Sequence, residues 1–375
     1  MDVSSEMIHA LLPVFLVTGL GASALVVGLI DGAAEALALV VKVFSGALSD
    51  AMGRRKPLAV LGYGLGALSK PLFALAGAPG WVLGARLMDR LGKGIRGAPR
   101  DALVADITPP AQRGAAFGLR QSLDTVGAFL GPMLAIGLML LWANDFRAVF
   151  AVAVIPALLS VAVLVLGVKE PEAPAGPTRT PPKPPWNRER LAQLPAAYWW
   201  VVGLGAVFTL ARFSEAFLVL RLQQGGLGLA WTPMVLVAMN VVYALGAYPL
   251  GWLADKVSHA RLLLLGLVLL VAADVALAHS GSGPFAWAGI LLWGAHLAAT
   301  QGLLAAMVAD TAPPDLRGTA YGLFNLASGL AMLVASVLAG WLWDRHGASA
   351  TFIAGAVLAS AACLGVLWRQ RAAAR

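Results

Sequence analysis

The chain contains one short pattern twice, and this repeat decides what kind of fold to expect. The first copy is VADITPPAQRGAAFGL, Val104 to Leu119, and the second is VADTAPPDLRGTAYGL, Val308 to Leu323, which aligns with it without a gap. A further pair of matches, GALSD from Gly46 and GWLAD from Gly251, has almost the same separation. Two matches at nearly one separation indicate that the chain is built from two related halves.

The composition shows what the halves are made of. The chain has 375 residues, of which 59% are hydrophobic and 12% charged, and its mean hydropathy is +0.79. These values exclude a water-soluble globular protein and predict an integral membrane protein. The apolar runs are long and do not alternate, so we expect an all-α bundle and not an outer-membrane barrel. The single cysteine, Cys363, has no CxxC or His neighbour, so neither a disulfide framework nor a metal site is predicted.

Glycines, prolines and charges divide the chain into twelve apolar segments, each near the ~20 residues that a bilayer requires. The segments are 5–21, 24–49, 57–77, 80–103, 114–142, 147–168, 197–222, 230–254, 261–280, 285–309, 318–343 and 348–369. We therefore predict twelve transmembrane helices, arranged as two six-helix repeats.

The loop charges predict the orientation. One set of alternate loops collects most of the basic residues, including Arg54, Arg55 and Lys56, whereas the other has little beyond Arg147 and Arg345. By the positive-inside rule, both termini are cytoplasmic and the protein lies in the cell inner membrane.

The N-terminus carries acids where a signal peptide needs bases, so we expect it to form the first helix. The net charge of +8 lies largely in short loops, so we expect no nucleic-acid partner.

A proline-rich, charged stretch separates the halves. We predict an N-terminal bundle over 1–168, a cytoplasmic linker over 169–195 and a C-terminal bundle over 196–375. Two parallel six-helix repeats about a linker are the plan of a secondary transporter whose substrate path lies between its halves.

Two motifs carry a resemblance to the major facilitator superfamily that extends over essentially the whole chain. The loop GALSDAMGRRKP, Gly46 to Pro57, is similar to that family's GxLaDrxGRrk signature, and GWLADKVSHARL from Gly251 repeats it in degraded form. The resemblance implies the two-bundle fold and transport by alternating access. The fifth helix is also similar to the motif of antiporter members, although the closing Gly-Gly is Ala135-Ile136 here. Its residues are Gly118, Gly127, Gly131 and Pro132.

The loop signature is chemically suited to a cytoplasmic gate. Asp50 can face the positive N-terminus of a neighbouring helix, and Arg54 can reach an acid such as Asp106. Gly46 permits close helix packing and Gly53 a tight turn. The alternative is that the basic residues only set topology, and the alternative for the fifth-helix motif is a packing kink.

The stretch RLMDRLGKGIRGAPRDALVAD, Arg86 to Asp106, places many charges inside a membrane helix. At 100° per residue they share one face, which must point to protein or to water because charge facing lipid is costly. On the second helix, Asp31 and Glu35 share a face and match Arg86 and Arg90 in depth. Arg120 and Asp124 lie one turn apart on the fifth helix, and Lys70 has no evident partner. The predicted substrate and proton pathway comprises Asp31, Glu35, Arg86, Asp89, Arg90, Lys93, Arg96, Arg120, Asp124, Arg212 and Glu215.

The second half lacks most of these charges at the matching positions, although it keeps Arg212, Glu215, Asp274 and His296. A substrate path with a charged side from the first half and an apolar side from the second half suits an anionic or amphipathic substrate. A buried carboxylate among bases suits a proton carrier, because burial favours its neutral form and a neighbouring base its charged form. Glu35 and Asp31 are the first candidates, followed by Asp89, with Glu215 in the second half. The alternative is a structural ion-pair network.

These observations predict a proton-coupled secondary transporter that exports a small organic compound. The alternatives are proton-coupled uptake of an organic anion and, more remotely, a non-transporting membrane sensor. An enzyme is not expected, because no HExxH, GxSxG or Cys/His pair with usable spacing occurs. We expect a monomer in the lipid bilayer, without a cofactor, whose partners are the small-molecule substrate and the coupling proton.

Overall fold

The computed structural model describes residues 1–52, 54–109, 112–169, 191–254, 256–300, 302–313 and 316–373. Over these residues the chain is helical and contains no strand, which confirms the predicted all-α class. Eight stretches are long and apolar enough to cross a membrane by length and composition. The count of twelve transmembrane helices stays a prediction.

The first half of the chain forms eight α-helices and a π-helical turn in the described residues. They are α1 (Asp2–His9), α2 (Leu12–Val14), the π turn (Phe15–Gly19), α3 (Ala24–Met52), α4 (Lys56–Ala74), α5 (Pro79–Ile107), α6 (Arg113–Leu141), α7 (Phe146–Val152) and α8 (Val154–Gly167).

The second half continues with eight further described α-helices and one short 3₁₀ turn. They are α9 (Ala196–Ala211), α10 (Ala216–Gln224), the 3₁₀ turn (Leu229–Trp231), α11 (Met234–Ala254), α12 (His259–His279), α13 (Gly283–Thr300), α14 (Leu303–Thr311), α15 (Arg317–His346) and α16 (Ala348–Ala373).

Four predicted segments are not among the eight apolar stretches, for physical reasons that differ. The first is interrupted between α1 and α2 and again at the π turn. The third, α4, contains Lys70 and several glycines, which lower its hydropathy. The fourth, α5, carries the dense charges, and the tenth is described as the two shorter helices α13 and α14, on either side of residue 301, which lies outside the described residues. The eight are Ala24–Gly46, Ala115–Leu141, Phe146–Gly167, Ala196–Gln224, Leu229–Leu253, His259–His279, Arg317–His346 and Ala348–Trp368.

The predicted seventh helix, 197–222, is not continuous. α9 ends at Ala211 and α10 begins at Ala216, so Arg212 to Glu215 form a non-helical break. Ser214 contributes to the break because its Oγ accepts a hydrogen bond from the backbone N–H of Ala216 at 3.1 Å. Serine side chains that bond nearby backbone groups compete with the helical hydrogen-bond pattern. Two charged residues of the predicted pathway therefore lie at this break.

The chain divides into two compact units. The N-terminal unit comprises Met1–Leu12 and Ala33–Pro185, and the C-terminal unit comprises Pro13–Gly32 and Trp186–Arg375. The boundary falls within α3, so the first turns of that helix group with the C-terminal unit. The division into bundles 1–168 and 196–375 stays a prediction, and most of the linker, residues 170–190, lies outside the described residues.

Glycines bring α4 and α5 together in the N-terminal unit. A Cβ on Gly62 would lie 2.6 Å from the Gly92 carbonyl oxygen, and a Cβ on Gly92 would lie 2.5 Å from that of Gly62. Neither position can carry a larger side chain without moving the backbone. Such small residues let membrane helices approach closely. At this contact the charged helix α5 packs closely against α4.

Candidate functional site

Two arginines on α5 share one carboxylate from α3. Nη2 of Arg90 lies 3.0 Å from Oε1 of Glu35, and Nη2 of Arg86 lies 3.8 Å from the same oxygen. The side chain of Arg86 is 2% exposed and that of Arg90 is 5% exposed, whereas that of Glu35 is 33% exposed. The depth match between Glu35 and Arg90 that the sequence indicates is therefore a direct contact. Glu35 is the member of this group that water can reach.

A second ion pair joins α4 to α5. Nζ of Lys70 lies 2.7 Å from Oδ1 of Asp89 and donates to Oγ of Ser5 at 3.0 Å. The sequence left Lys70 without a partner, although a signal was present. Gly62, Gly66 and Lys70 follow one another at intervals of four, which places Lys70 on the face of α4 that packs against α5. Lys70 thus belongs to the charge network although the sequence prediction omitted it.

Further charged residues of the N-terminal unit form ion pairs near the predicted cytoplasmic end. Nη2 of Arg96 lies 3.5 Å from Oδ1 of Asp2, and its guanidinium lies 4.6 Å from the Tyr63 ring centroid. Arg120 lies 2.9 Å from Asp124 and 3.6 Å from Asp101. Arg100 completes the group at 3.1 Å from Asp101 and 3.9 Å from Asp124. Asp2, Tyr63, Arg100 and Asp101 are members that the predicted pathway did not include.

We refer to all of these groups together as the charge network. Its members are Asp2, Glu35, Lys70, Arg86, Asp89, Arg90, Arg96, Arg100, Asp101, Arg120 and Asp124. Lys93 lies one turn after Asp89 on α5, and its side chain is exposed in the middle of that helix. An exposed ammonium between buried guanidiniums can meet an anionic group of a substrate.

The other predicted pathway residues lie in the C-terminal unit. Asp31 accepts a hydrogen bond from Oγ of Ser214 within the break between α9 and α10. The guanidinium of Arg212 lies 6.0 Å from the Phe208 ring centroid, and Glu215 directly precedes α10. The structure thus assigns Asp31, Arg212 and Glu215 to one unit and the charge network to the other.

One contact of the predicted cytoplasmic gate is made by a neighbouring arginine. Asp106 is contacted by Nε of Arg55 at 3.4 Å, and not by Arg54 as predicted. Nη1 of Arg55 also donates to Oγ of Ser49 at 2.8 Å, whereas Arg54 is exposed. The chain leaves α3 and enters α4 within a few residues, so only one of two adjacent arginines can face α5.

The other gate residues have simpler surroundings. A Cβ on Gly46 would meet only Ala98, at 3.4 Å, which is ordinary contact. Gly53 and the side chain of Asp50 lie outside the described residues, so their gating role stays a prediction. Nζ of Lys56 donates to the carbonyls of Val165 at 2.8 Å and Val168 at 2.6 Å, at the C-terminal end of α8.

Two glycines of the antiporter-like motif pack against α1. A Cβ on Gly131 would lie 2.7 Å from Cβ of Glu6, and one on Gly127 would lie 3.0 Å from Cβ of Asp2. A Cβ on Gly118 would meet nothing within 4 Å, and Pro132 lies inside α6. Gly127 and Gly131 therefore let α1 bring its acids against α6, which is a packing role whatever the direction of transport.

The fold and the motifs agree with comparisons to known proteins. Residues 1–336 match the family model described as Major Facilitator Superfamily. The chain belongs to the Major Facilitator Superfamily. An uncharacterised MFS-type transporter of Methanocaldococcus jannaschii is 32% identical over 367 residues, which cover 96% of this chain and 89% of that protein.

Two further similar proteins have lower sequence identity. The multidrug resistance protein MdtH of Proteus mirabilis is 28% identical over 348 residues, covering 90% of this chain and 82% of that protein. The crystal structure of the nucleoside transporter NupG superposes with a TM-score of 0.77 at 11% identity, covering 98% of this chain and 95% of that one. At that identity the likeness shows the fold alone. The chain is therefore a multi-pass membrane transporter of the Major Facilitator Superfamily.

Proposed function

We propose that the chain is a proton-coupled secondary transporter of the inner membrane, with both termini cytoplasmic, that exports a small amphipathic organic compound by alternating access. The observation that carries the proton coupling is the group of Glu35, Arg86 and Arg90. Glu35 is partly exposed, and its charge is held by two buried guanidiniums at 3.0 and 3.8 Å. A small change in helix position would alter this contact and with it the carboxylate's affinity for a proton.

Two findings support export. The full-length relative from Proteus mirabilis is named as a multidrug resistance protein, and α6 carries the antiporter-like glycines. Export against proton entry requires that proton and substrate exclude each other at the site. A compound that donates a hydrogen bond or a positive charge to Glu35 meets this requirement, because it binds the deprotonated carboxylate more tightly than the neutral acid. An amphipathic compound with such a group is therefore the favoured substrate.

A second candidate is proton-coupled uptake of an organic anion. The same geometry favours this direction of coupling when the substrate is negatively charged. When Glu35 takes a proton, its negative charge no longer balances the guanidiniums of Arg86 and Arg90, and these can bind an anion instead. Exposed Lys93 adds a further positive group on the same helix. Proton and anion would then assist each other's binding, which is the sign of coupling that symport requires.

The sign of this coupling can be measured before the direction of transport is known. Purified protein would be screened by thermal shift against organic anions, siderophores, sugars and drugs at two pH values, since a ligand stabilises the state that it binds. Export predicts that the best ligand stabilises more strongly at the higher pH. Stronger stabilisation at the lower pH would instead favour symport of an anion.

Vesicles then test the direction with the ligand so identified. Everted membrane vesicles with an acidified interior should accumulate the compound if protons leaving the vesicle drive it inward. Collapse of the pH gradient should abolish the accumulation, and Glu35→Gln should lack it. Gradient-driven accumulation in right-side-out vesicles would overturn export, and flux that ignores the gradient would overturn proton coupling.

A further inference from the structure

A carboxyl group outside the charge network lies buried in the C-terminal unit. Asp274, on α12, is 0% exposed. Both of its side-chain oxygens lack a hydrogen-bond partner within the described part of the chain, and it makes no ion pair there. A buried ionised carboxylate without a partner is strongly unfavourable, so such a group must be neutral or must gain a partner in another state.

The surroundings of Asp274 are shaped to hold this group. A Cβ on Gly355 of α16 would lie 2.6 Å from Oδ2 of Asp274 and 3.0 Å from the Phe213 ring. The missing side chain of Gly355 therefore provides the space that the carboxyl occupies. Phe213 packs over this space, with its ring centroid 5.5 Å from those of both Trp293 and Phe352. Glycine and aromatic rings together shield the carboxyl from water.

The neighbouring helix α13 contributes two more buried polar atoms without partners among the described residues. They are Nε1 of Trp293 and Nε2 of His296, and both side chains are 0% exposed. These residues are three apart on α13 and share a face. Nδ1 of His296 lies 2.7 Å from the Gly266 carbonyl oxygen, so Nδ1 carries the proton and Nε2 is an acceptor in the neutral ring.

The charged groups on the elements around Asp274 are few. α13 contributes His296, and the break between α9 and α10 contributes Arg212 and Glu215. From α10, the guanidinium of Arg221 donates to the carbonyls of Leu277 at 2.8 Å and Ala278 at 3.1 Å. From α16, the polar neighbours are Ser349 and Thr351, which hydrogen-bond to the carbonyls of Ala278 and Ala339. None of these groups forms an ion pair with Asp274 in the residues that the structure describes.

We propose that Asp274 is a second protonation site, located in the C-terminal unit and separate from the charge network. In this conformation one carboxyl oxygen carries a proton, which leaves the buried group neutral. The O–H bond breaks, and the proton passes to water, when Phe213 moves away. Phe213 can move during the transport cycle because the next residue, Ser214, donates a hydrogen bond to Asp31. The break between α9 and α10 therefore contacts two carboxyl groups, Asp274 through Phe213 and Asp31 through Ser214.

The protonation state of Asp274 can be tested without any substrate. Reconstituted full-length protein would be titrated while its infrared difference spectrum is recorded in the carbonyl region of protonated carboxyls. A band should be present at neutral pH and absent in Asp274→Asn, whose amide resembles the neutral acid. Asp310→Asn, a matched change of an exposed carboxyl in the same unit, should leave the band unchanged. A spectrum identical in wild type and Asp274→Asn would overturn the proposal.

A variant that retains the carboxyl covers the case in which Asp274→Asn does not fold. In Phe213→Leu, the band should exchange in deuterated water at least several-fold faster than in wild type, because the ring no longer shields the group. An unchanged exchange rate in well-folded protein would remove Phe213 from the mechanism and overturn the proposed release step.

The role of Asp274 in the transport cycle rests on the proposed proton coupling. The proposal for Asp274 and the proposed function can nevertheless fail separately. If gradient-driven transport is intact in wild type and in folded Asp274→Asn, Asp274 is not a coupling site while the proposed function stands. If the Asp274 band is present but wild-type flux ignores the pH gradient, the protonated carboxyl stands and the proposed function fails. Loss of gradient-driven flux in Asp274→Asn, with substrate exchange at equilibrium preserved, is the expected result.

Discussion

Lys70 and Asp89 form an ion pair that is almost completely buried between α4 and α5. The distance from Nζ to Oδ1 is 2.7 Å, and the side chains are 1% and 5% exposed. Buried ion pairs add little net stability, because removing two charges from water offsets their attraction. Losing only one partner is nevertheless costly, because the other charge stays buried alone. The pair therefore favours the packing of α4 against α5, because any other arrangement would leave one of the two charges buried without its partner.

We expect Lys70→Met to destabilise the protein by about 3 to 5 kcal/mol, because Asp89 would be left buried and unpaired. The double variant Lys70→Met/Asp89→Leu should recover most of this loss. Denaturant unfolding in detergent, arranged as a double-mutant cycle, measures the coupling between the two positions. Additive effects of the two single variants would show that the pair contributes no coupling energy.

The two arginines of the α3–α4 turn should differ in their effect on transport. Arg55→Ala removes the contacts with Asp106 and Ser49, so we expect slower cycling, by roughly tenfold or about 1.4 kcal/mol, with little change in substrate binding. Arg54→Ala is the matched control, since Arg54 is exposed. Asp106→Asn should match Arg55→Ala, and the combined variant should be no slower than either. A larger defect in Arg54→Ala would reverse this assignment.

The glycines of α6 should not be equivalent. Gly131→Ala would place a Cβ 2.7 Å from both Cβ of Glu6 and the Val3 carbonyl oxygen, so α1 must shift and stability should fall by about 1 to 3 kcal/mol. Gly118→Ala meets nothing within 4 Å and should be neutral or stabilising by up to about 1 kcal/mol, since alanine favours a helix. Thermal unfolding in detergent compares the two variants. Equal losses would contradict the packing role of Gly131.

Glu35→Gln should separate proton coupling from substrate recognition. The amide keeps the size of the side chain but cannot exchange a proton, so gradient-driven transport should fall by roughly tenfold or more, or about 1.4 kcal/mol. Substrate exchange without a gradient should persist at saturating substrate, because it needs no proton movement and the amide oxygen can still accept a hydrogen bond from the substrate. Counterflow and gradient-driven flux in the same proteoliposomes measure both activities. Parallel loss of both activities would show that Glu35 holds the site together and carries no proton.

An N-terminal cap should stabilise the start of α3. The carboxylate of Asp344 accepts from the backbone N–H of Ala24 at 3.0 Å and of Leu25 at 2.9 Å. Asp344→Ala should cost about 1 kcal/mol, the usual value for a lost cap, seen as a lower unfolding temperature. Asp344→Asn should lose less, because its amide oxygen can still accept. A variant as stable as wild type would show that other groups satisfy these donors.

Several particular features were predictable before the structure. The apolar runs, the membrane class and the two-halved repeat follow from hydropathy and self-similarity. The contact between Glu35 and Arg90 follows from rise per residue along two helices that enter the membrane from the same side. Each of these depends only on one helix or on depth in the bilayer, which the order of residues determines.

Other features needed the tertiary structure. The choice of Arg55 over Arg54, the partner of Lys70 and the isolation of Asp274 depend on which helix faces which, and by what rotation. That choice is set by close contacts such as Gly62 on Gly92 and Gly355 on Asp274. The hydrogen bond from Ser214, at the helix break, to Asp31 joins residues that lie far apart in the chain. The sequence by itself therefore determined the class, the repeat and the matching depths of Glu35 and Arg90. Packing between helices decided the partners, because a side chain's partner depends on neighbours that its own helix does not specify.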